Sequence, residues 1–250
     1  MVRRSELPGE VAELYSPIGL LPVDAFTGGA PIGSLSASLD AQGADGIWHS
    51  TGIKEVRTPS GVIAYPNLAR SAEVPGQPRR YRVRVDAQFY QPLYLKDSDS
   101  IEFNAFPYND SNPPADYPKR PEDFPDYLKK VLVKVMLMPA PNYPFPNHIF
   151  ILRGAVVDKQ TTEPVVRAEV FWGNKENTLT TGPPDPLDDQ KRVLTVTKGV
   201  FALPMRITER EQLETKQTID AFDHRTKRKG EIQISIPQDL GRNQIIPIDK

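Results

Sequence analysis

The chain contains no cysteine, which removes a disulfide framework, a thiolate nucleophile and any Cys-ligated zinc site. It has only three histidines, His49, His148 and His224. No two stand at the short spacing that would put two imidazoles on one metal. No apolar run approaches the roughly 18 residues of a spanning helix. The first residues, Met-Val-Arg-Arg-Ser-Glu-Leu-Pro-Gly-Glu, have the basic start of a secretion signal but not the apolar stretch that follows one. The expectation is a chain without a signal peptide or membrane insertion, residing in a cytoplasmic assembly and leaving the cell only as part of a particle. Neither sign of charge prevails, with 31 Lys+Arg against 32 Asp+Glu. That balance offers no general attraction to nucleic acid or anionic lipid.

What the chain does have is proline, 26 residues against 16 glycines. Proline removes a backbone donor and breaks helices and central ladders, so its density predicts short strands separated by fixed turns. Segments such as Tyr81-Arg-Val83-Arg-Val85-Asp-Ala87 and Glu231-Ile-Gln-Ile234-Ser-Ile236 alternate apolar and polar residues. This pattern gives a strand one buried and one wet face. Helix is expected only over Thr208-Glu-Arg-Glu211-Gln-Leu-Glu214, where Thr208 and Glu211 have capping-box spacing.

Four landmarks occur twice in the same order. Asp24-Ala-Phe-Thr27 with Pro31-Ile32 is matched by Asp158-Lys-Gln-Thr161 with Pro164-Val165, 134 residues later. Thr58-Pro-Ser-Gly61-Val-Ile is matched by Thr197-Lys-Gly199-Val-Phe, with Gly199 lying 138 residues after Gly61. Val85-Asp86-Ala87 is matched by Ile219-Asp220-Ala221 at 134 again. Finally Val131 to Pro139 is set against Ile232 to Pro237, the offset shrinking to 98 because a Pro-rich insertion of about residues 104–130 interrupts the first copy. Asp and Thr side chains bond nearby backbone in such turns, proline fixes φ, and glycine supplies positive φ. The predicted fold class is therefore all-β, two tandem Greek-key, prealbumin-like β-sandwiches. Residues 1–17 form an arm, 18–139 the first sandwich, 140–147 a Pro-rich connector and 148–250 the second sandwich with a C-terminal extension.

The second copy, with Gly154-Ala-Val-Val-Asp158, Thr161, Pro164-Val165, Ala168-Glu-Val170 and Thr197-Lys-Gly199-Val-Phe201, resembles the transthyretin-like, carboxypeptidase regulatory-like β-sandwich family, and the first copy is similar. The resemblance implies non-catalytic modules that stabilise, space or join other domains. One branch of that family hydrolyses 5-hydroxyisourate with histidines, an arginine and a C-terminal Tyr-Arg-Gly-Ser. This chain instead ends Ile245-Ile-Pro-Ile248-Asp-Lys250, and no histidine falls in a repeat motif. The joint Val135-Met-Leu-Met-Pro139-Ala-Pro-Asn-Tyr143-Pro-Phe145-Pro146, followed by Leu152-Arg-Gly154, is similar to that of accessory proteins of phage tails and contractile injection systems.

Candidate interaction residues fall into three groups. Arg80, Arg82 and Arg84 alternate with apolar residues, so their guanidinium groups share one solvent face. Phe106, Tyr108, Tyr117, Phe124 and Tyr127 decorate the insertion, and Tyr143 and Phe145 the connector. Aromatics on rigid turns suit protein contact or sugar stacking because they offer area at low entropic cost. The acidic runs Asp97-Ser-Asp99-Ser-Ile-Glu102 and Asp185-Pro-Leu-Asp188-Asp189 lack the ligand order of a calcium loop. No cofactor, metal or catalytic residue is expected. The function expected is a non-catalytic structural or adaptor subunit of a large assembly such as a phage-tail-like contractile injection particle, oligomeric through other protein subunits and without nucleic acid. The alternatives are a carbohydrate-binding or adhesion module and, last, a hydrolase of the transthyretin-like fold.

Overall fold

The alternation read from the sequence becomes strand almost everywhere. The computed structural model describes residues 2–4, 12–14, 16–66, 68, 78–92, 101–105, 122, 130–172, 192–205 and 216–249. In chain order the strands are β1 Val2–Arg4, β2 Ala12–Leu14, β3 Gly19–Asp24, β4 Leu35–Gln42, β5 Trp48–Ser50, β6 Val56–Arg57, β7 Ile63–Ala64, β8 Arg79–Ala87 and β9 Tyr90–Pro92. They continue as β10 Ile101–Ala105, β11 Leu132–Pro139, β12 Phe150–Asp158, β13 Glu169–Trp172, β14 Arg192–Leu194, β15 Val200–Met205, β16 Lys216–Asp223, β17 Arg228–Ser235 and β18 Gln244–Ile248. The fold is all-β. The helix expected at 208–214 and most of the insertion lie outside the described residues.

By contacts the chain divides into two units that interleave in sequence. One comprises residues 1–23, 35–86 and 98–135, the other 24–34, 87–97 and 136–250. In the first, β8 runs between β4 and β10, with β5 beyond β4. Tyr81, Val83 and Val85 are buried while Arg80 and Arg84 face out. On β4 the buried apolar residues are Ala37, Leu39 and Ala41, the period-2 pattern of one dry face, and Asp40 is buried on the opposite side. A second group in this unit places β7 between β3 and β6, with Gly19 opposite Ala64 and Leu20 opposite Ile63. β1 and β2 pair with each other, Val2 opposite Leu14.

The second unit contains a three-stranded sheet, β15-β12-β18, and a four-stranded antiparallel sheet, β14-β13-β16-β17. Their apolar faces share one core, in which Leu152, Val156, Val170, Phe201, Ile219 and Ile246 are almost wholly buried. Each such side chain contributes about 2 kcal/mol through loss of water contact. β18 runs parallel to β12, and two glycines let it lie there. A Cβ on Gly154 would stand 2.2 Å from the Gln244 carbonyl oxygen, and one on Gly230 would stand 2.1 Å from that of Pro247.

The first two duplicated landmarks have the same hydrogen-bond geometry in both halves. Asp24 Oδ1 accepts the N–H groups of Phe26 and Thr27, as Asp158 Oδ1 accepts those of Gln160 and Thr161. Thr27 and Thr161 each accept the N–H two residues on. The backbone bonds Asp24 N–H to Gly29 and Gly28 N–H to Asp24 recur as Asp158 N–H to Glu163 and Thr162 N–H to Asp158. In the second landmark, Thr58 N–H to Val62 and Gly61 N–H to Thr58 recur as Val196 N–H to Val200 and Gly199 N–H to Val196. The registers Gly19–Ala64 and Leu20–Ile63 recur as Arg153–Ala202 and Gly154–Phe201.

The fourth landmark pairs differently from the sequence alignment. Leu137 on β11 accepts the N–H of Ala25, just as Ile248 on β18 accepts that of Lys159. The counterpart of β11 in the second copy is thus β18, at an offset of 111 (137 to 248). The segment 232–237 belongs largely to β17, the hairpin partner of β16. Both candidates are apolar alternations carrying a proline, and only the ladder distinguishes them.

Candidate interaction surface

Strand alternation delivers Arg80, Arg82 and Arg84 of β8 to one face, and the neighbouring strands supply their counter-charges. Glu102 on β10 binds Arg80. Asp40 on β4 accepts from Arg82 Nε at 2.8 Å and from Arg84 Nη2 at 3.2 Å. Trp48, on β5, lies under two of the guanidinium groups, its ring centroid 4.8 Å from that of Arg82 and 5.8 Å from that of Arg80, within cation–π range. Asp40 is only 3% exposed at its side chain. Burial opposes its ionisation, but the Arg82 hydrogen bond and the Arg84 charge prevail and hold its carboxyl below the usual carboxylate range.

The stripe is consequently a ladder of internal ion pairs. Two carboxylates serve three guanidinium groups, and Asp86 follows on the same exposed side of β8. The face has little net charge to draw in a polyanion. Arg82 is also structural, because removing it strips a buried carboxylate of its closest partner, a costly change. Asp40 and Trp48 went unrecognised in the sequence. The alternation placed Asp40 opposite the core face, but nothing local reveals that β4 lies beside β8.

In the second unit the connector residues are anchored. Tyr143 is 6% exposed and donates its hydroxyl to Asp24 Oδ2 at 2.7 Å. The Tyr90 hydroxyl donates to the same oxygen at 3.0 Å and accepts the N–H of Ile32 at 2.9 Å. Burial, then the Asp24 carboxylate, push the Tyr143 phenol upward. Burial is the first cause for Tyr90 too, raised to about 12. Phe26 packs edge-on against Tyr143 at 5.8 Å and Phe145 at 5.3 Å. Phe145 is half-buried. Tyr143, read as a surface contact, is thus an interior anchor of the connector. Phe106, Tyr108, Tyr117, Phe124 and Tyr127 lie outside the described residues, as do Asp97, Asp99, Asp185, Asp188 and Asp189.

Several other ionisable groups sit in or beside turns. His49 stands 3.5 Å from Asp45 on an exposed hairpin, His148 is exposed, and His224 Nε2 lies 2.8 Å from Glu169 Oε2. Asp158 binds Arg228 and is lowered to about 2, first by the Thr161 backbone N–H, then by Arg228 and the Gln160 N–H. Asp223 is buried, which opposes ionisation, yet bonds from Thr226 and the Arg225 backbone hold it below its ordinary value. Among the described residues no group of three or more His, Cys, Asp or Glu side chains gathers as metal ligands would. Nor is any helix among them long and apolar enough to cross a membrane.

No family model matches the sequence, and no curated protein does. Solved structures of pilins show weak likeness, three of them as follows. The streptococcal ancillary pilin is 12% identical with a TM-score of 0.29, covering 93% of this chain and 61% of that one. The shaft pilin SpaA from Lactobacillus rhamnosus GG is 9% identical with a TM-score of 0.27, covering 93% and 97%. The major pilin subunit of Bacillus cereus is 10% identical with a TM-score of 0.28, covering 92% and 68%. This chain therefore spans about three fifths of the length of the first of them. TM-scores this low do not establish a common fold, and the repeated turn geometry stands on the chain's own hydrogen bonds.

Proposed function

We propose that this chain is a non-catalytic structural or adaptor subunit of a large protein assembly, built from two tandem Greek-key β-sandwiches of the transthyretin-like, carboxypeptidase regulatory-like kind. The observation that supports the reading is the recurrence in both halves of one scheme, an Asp–Thr turn, a glycine turn and the same strand register. Duplicating a turn-and-ladder module extends a chain by a second rigid block, which suits a part that spaces or joins others. Carboxylates committed to turns and ion-pair ladders fit the same role. They stiffen the modules and are already engaged.

The narrower reading, a part of a phage-tail-like contractile injection particle assembled in the cytoplasm with other protein subunits, draws on the sequence of the joint at residues 135–154. Native mass measurement of the untagged protein from its host, with identification of co-purifying chains, tests both levels. The expected result is a high-mass complex of several different chains, with sheath or tube proteins among them for the narrower reading. A lone monomer, with or without glycan affinity, overturns the assembly role.

A further inference from the structure

We propose that the turn-bearing end of the β13–β16–β17 sheet is a docking surface for a carboxylate-rich segment of a partner protein. This deepens the assembly reading and rests on it.

Several loops meet at that end. Arg225, in the hairpin between β16 and β17, donates to the Val166 carbonyl at 2.9 Å. The N–H of Arg167 bonds Thr195. The turn at Thr197–Gly199 abuts the same stretch, since a Cβ on Gly199 would lie 3.1 Å from the Val165 nitrogen. The 158–163 turn joins through Arg228, which binds Asp158.

The two signs of charge are sorted by depth here. The carboxylates are inside, with Asp223 2% exposed and Asp158 and Glu169 largely covered. They are taken up by Arg228, by Thr226 and backbone N–H groups, by His224 and, for Asp223, by Arg225 Nε at 3.5 Å, whose guanidinium otherwise faces out. The cations other than Arg228 are outside. Arg225 is 65% exposed at its side chain, and Lys198, Lys227 and Lys229 are exposed. On the rim, Lys159 is already matched by Asp249 at 2.8 Å, and Glu163 is an exposed acid. Among these cations sits Val166, 36% exposed.

The backbone strengthens the case. Lys198 and Lys227 have φ of 66° and 60°, Thr162 59° and Arg167 64°, a region that L side chains other than Asn and Asp seldom enter. Two of the equivalent positions in the first half are glycines, Gly28 at 74° and Gly33 at 76°, 134 residues before Thr162 and Arg167. At these two positions the second half keeps the left-handed backbone but carries Thr162 and Arg167 in place of glycine. Ser60 occupies the position of Lys198 but without its positive φ. The basic character belongs to this copy alone and is not required by the turn.

A partner segment of carboxylates with small apolar residues fits better than a phosphate polymer, because Val166 lies within the patch. The whole chain is close to neutral and has no long-range field to gather polyanions.

The test is fluorescence anisotropy of a labelled peptide of alternating glutamate and alanine, titrated with the full chain at low and physiological salt. Duplex DNA and phosphatidylserine vesicles are the competing arms. Wild type should bind the peptide. Lys198→Gly with Lys227→Gly should weaken binding about tenfold, the loss of two exposed ion pairs. The fold should hold, since glycine adopts both conformations without strain, and Lys227→Asn alone gives a milder version. Absent peptide binding by wild type, unchanged affinity in the variants, or tighter binding of DNA or vesicles at equal salt would each overturn the proposal. A chain that fails this titration but still co-purifies in a high-mass complex leaves the assembly role standing.

Discussion

Replacing Asp24 by alanine removes one carboxylate and strands several donors. In the native chain that carboxylate is fully buried and accepts from the Tyr90 and Tyr143 hydroxyls and from the N–H groups of Phe26 and Thr27. Thr27 is exposed and can turn to water, whereas Tyr90, Tyr143 and Phe26 are buried. A buried donor left without a partner costs about 1–3 kcal/mol, so three give a destabilisation of about 4 kcal/mol, allowing for partial relaxation. With a urea dependence of roughly 2 kcal/mol per molar, the unfolding midpoint should fall by about 2 M. Tyrosine fluorescence and near-ultraviolet circular dichroism report on the node directly. The internal control is Asp158→Ala, which removes the equivalent turn carboxylate; its backbone N–H groups are exposed and can rebind water, and Arg228 keeps Thr226 and Asp223 as neighbours, so it should shift the midpoint less. If Asp24→Ala shifts it by less than the Asp158 variant, the argument that the tyrosine hydroxyls depend on Asp24 is wrong.

Two further outcomes are expected. Gly230→Ala should destabilise the second unit by about 3 kcal/mol, because its Cβ would meet the Pro247 carbonyl and force β18 away. Equal stability of this variant and wild type in urea would mean that β18 is not held as closely as described. Asp158 has a folded-state pKa depressed to about 2, so its stabilising effect is fully present above its unfolded value of about 4 and is lost as pH falls through about 2. The stability gap between wild type and Asp158→Asn should therefore be constant near neutrality and shrink only below about pH 4. A gap that widens on acidification would contradict the assignment.

The strand content, the duplicated turns and the alternation of β8 were legible in the sequence because each is a local matter. Proline density, an Asp–Thr pair at fixed spacing and a period of two act within a few residues. The arginine stripe was legible as a row but not as a ladder, since its counter-charges come from Asp40, 42 residues before Arg82, and from Glu102 on another strand. Tyr143 was misplaced for the same reason. A proline-flanked aromatic reads as exposed until the buried carboxylate 119 residues earlier is brought to its hydroxyl.

The sequence alone determined that this protein is β-structured and carries one turn-and-strand motif twice, because backbone preferences and side-chain period are written residue by residue. Tertiary structure alone decided that β11 corresponds to β18, that the β8 arginines meet counter-charges, and that in the 223–229 hairpin Asp223 lies inside with Arg228 while Arg225, Lys227 and Lys229 face out. Those outcomes depend on which strands become neighbours, and neighbours distant in the chain leave no local trace.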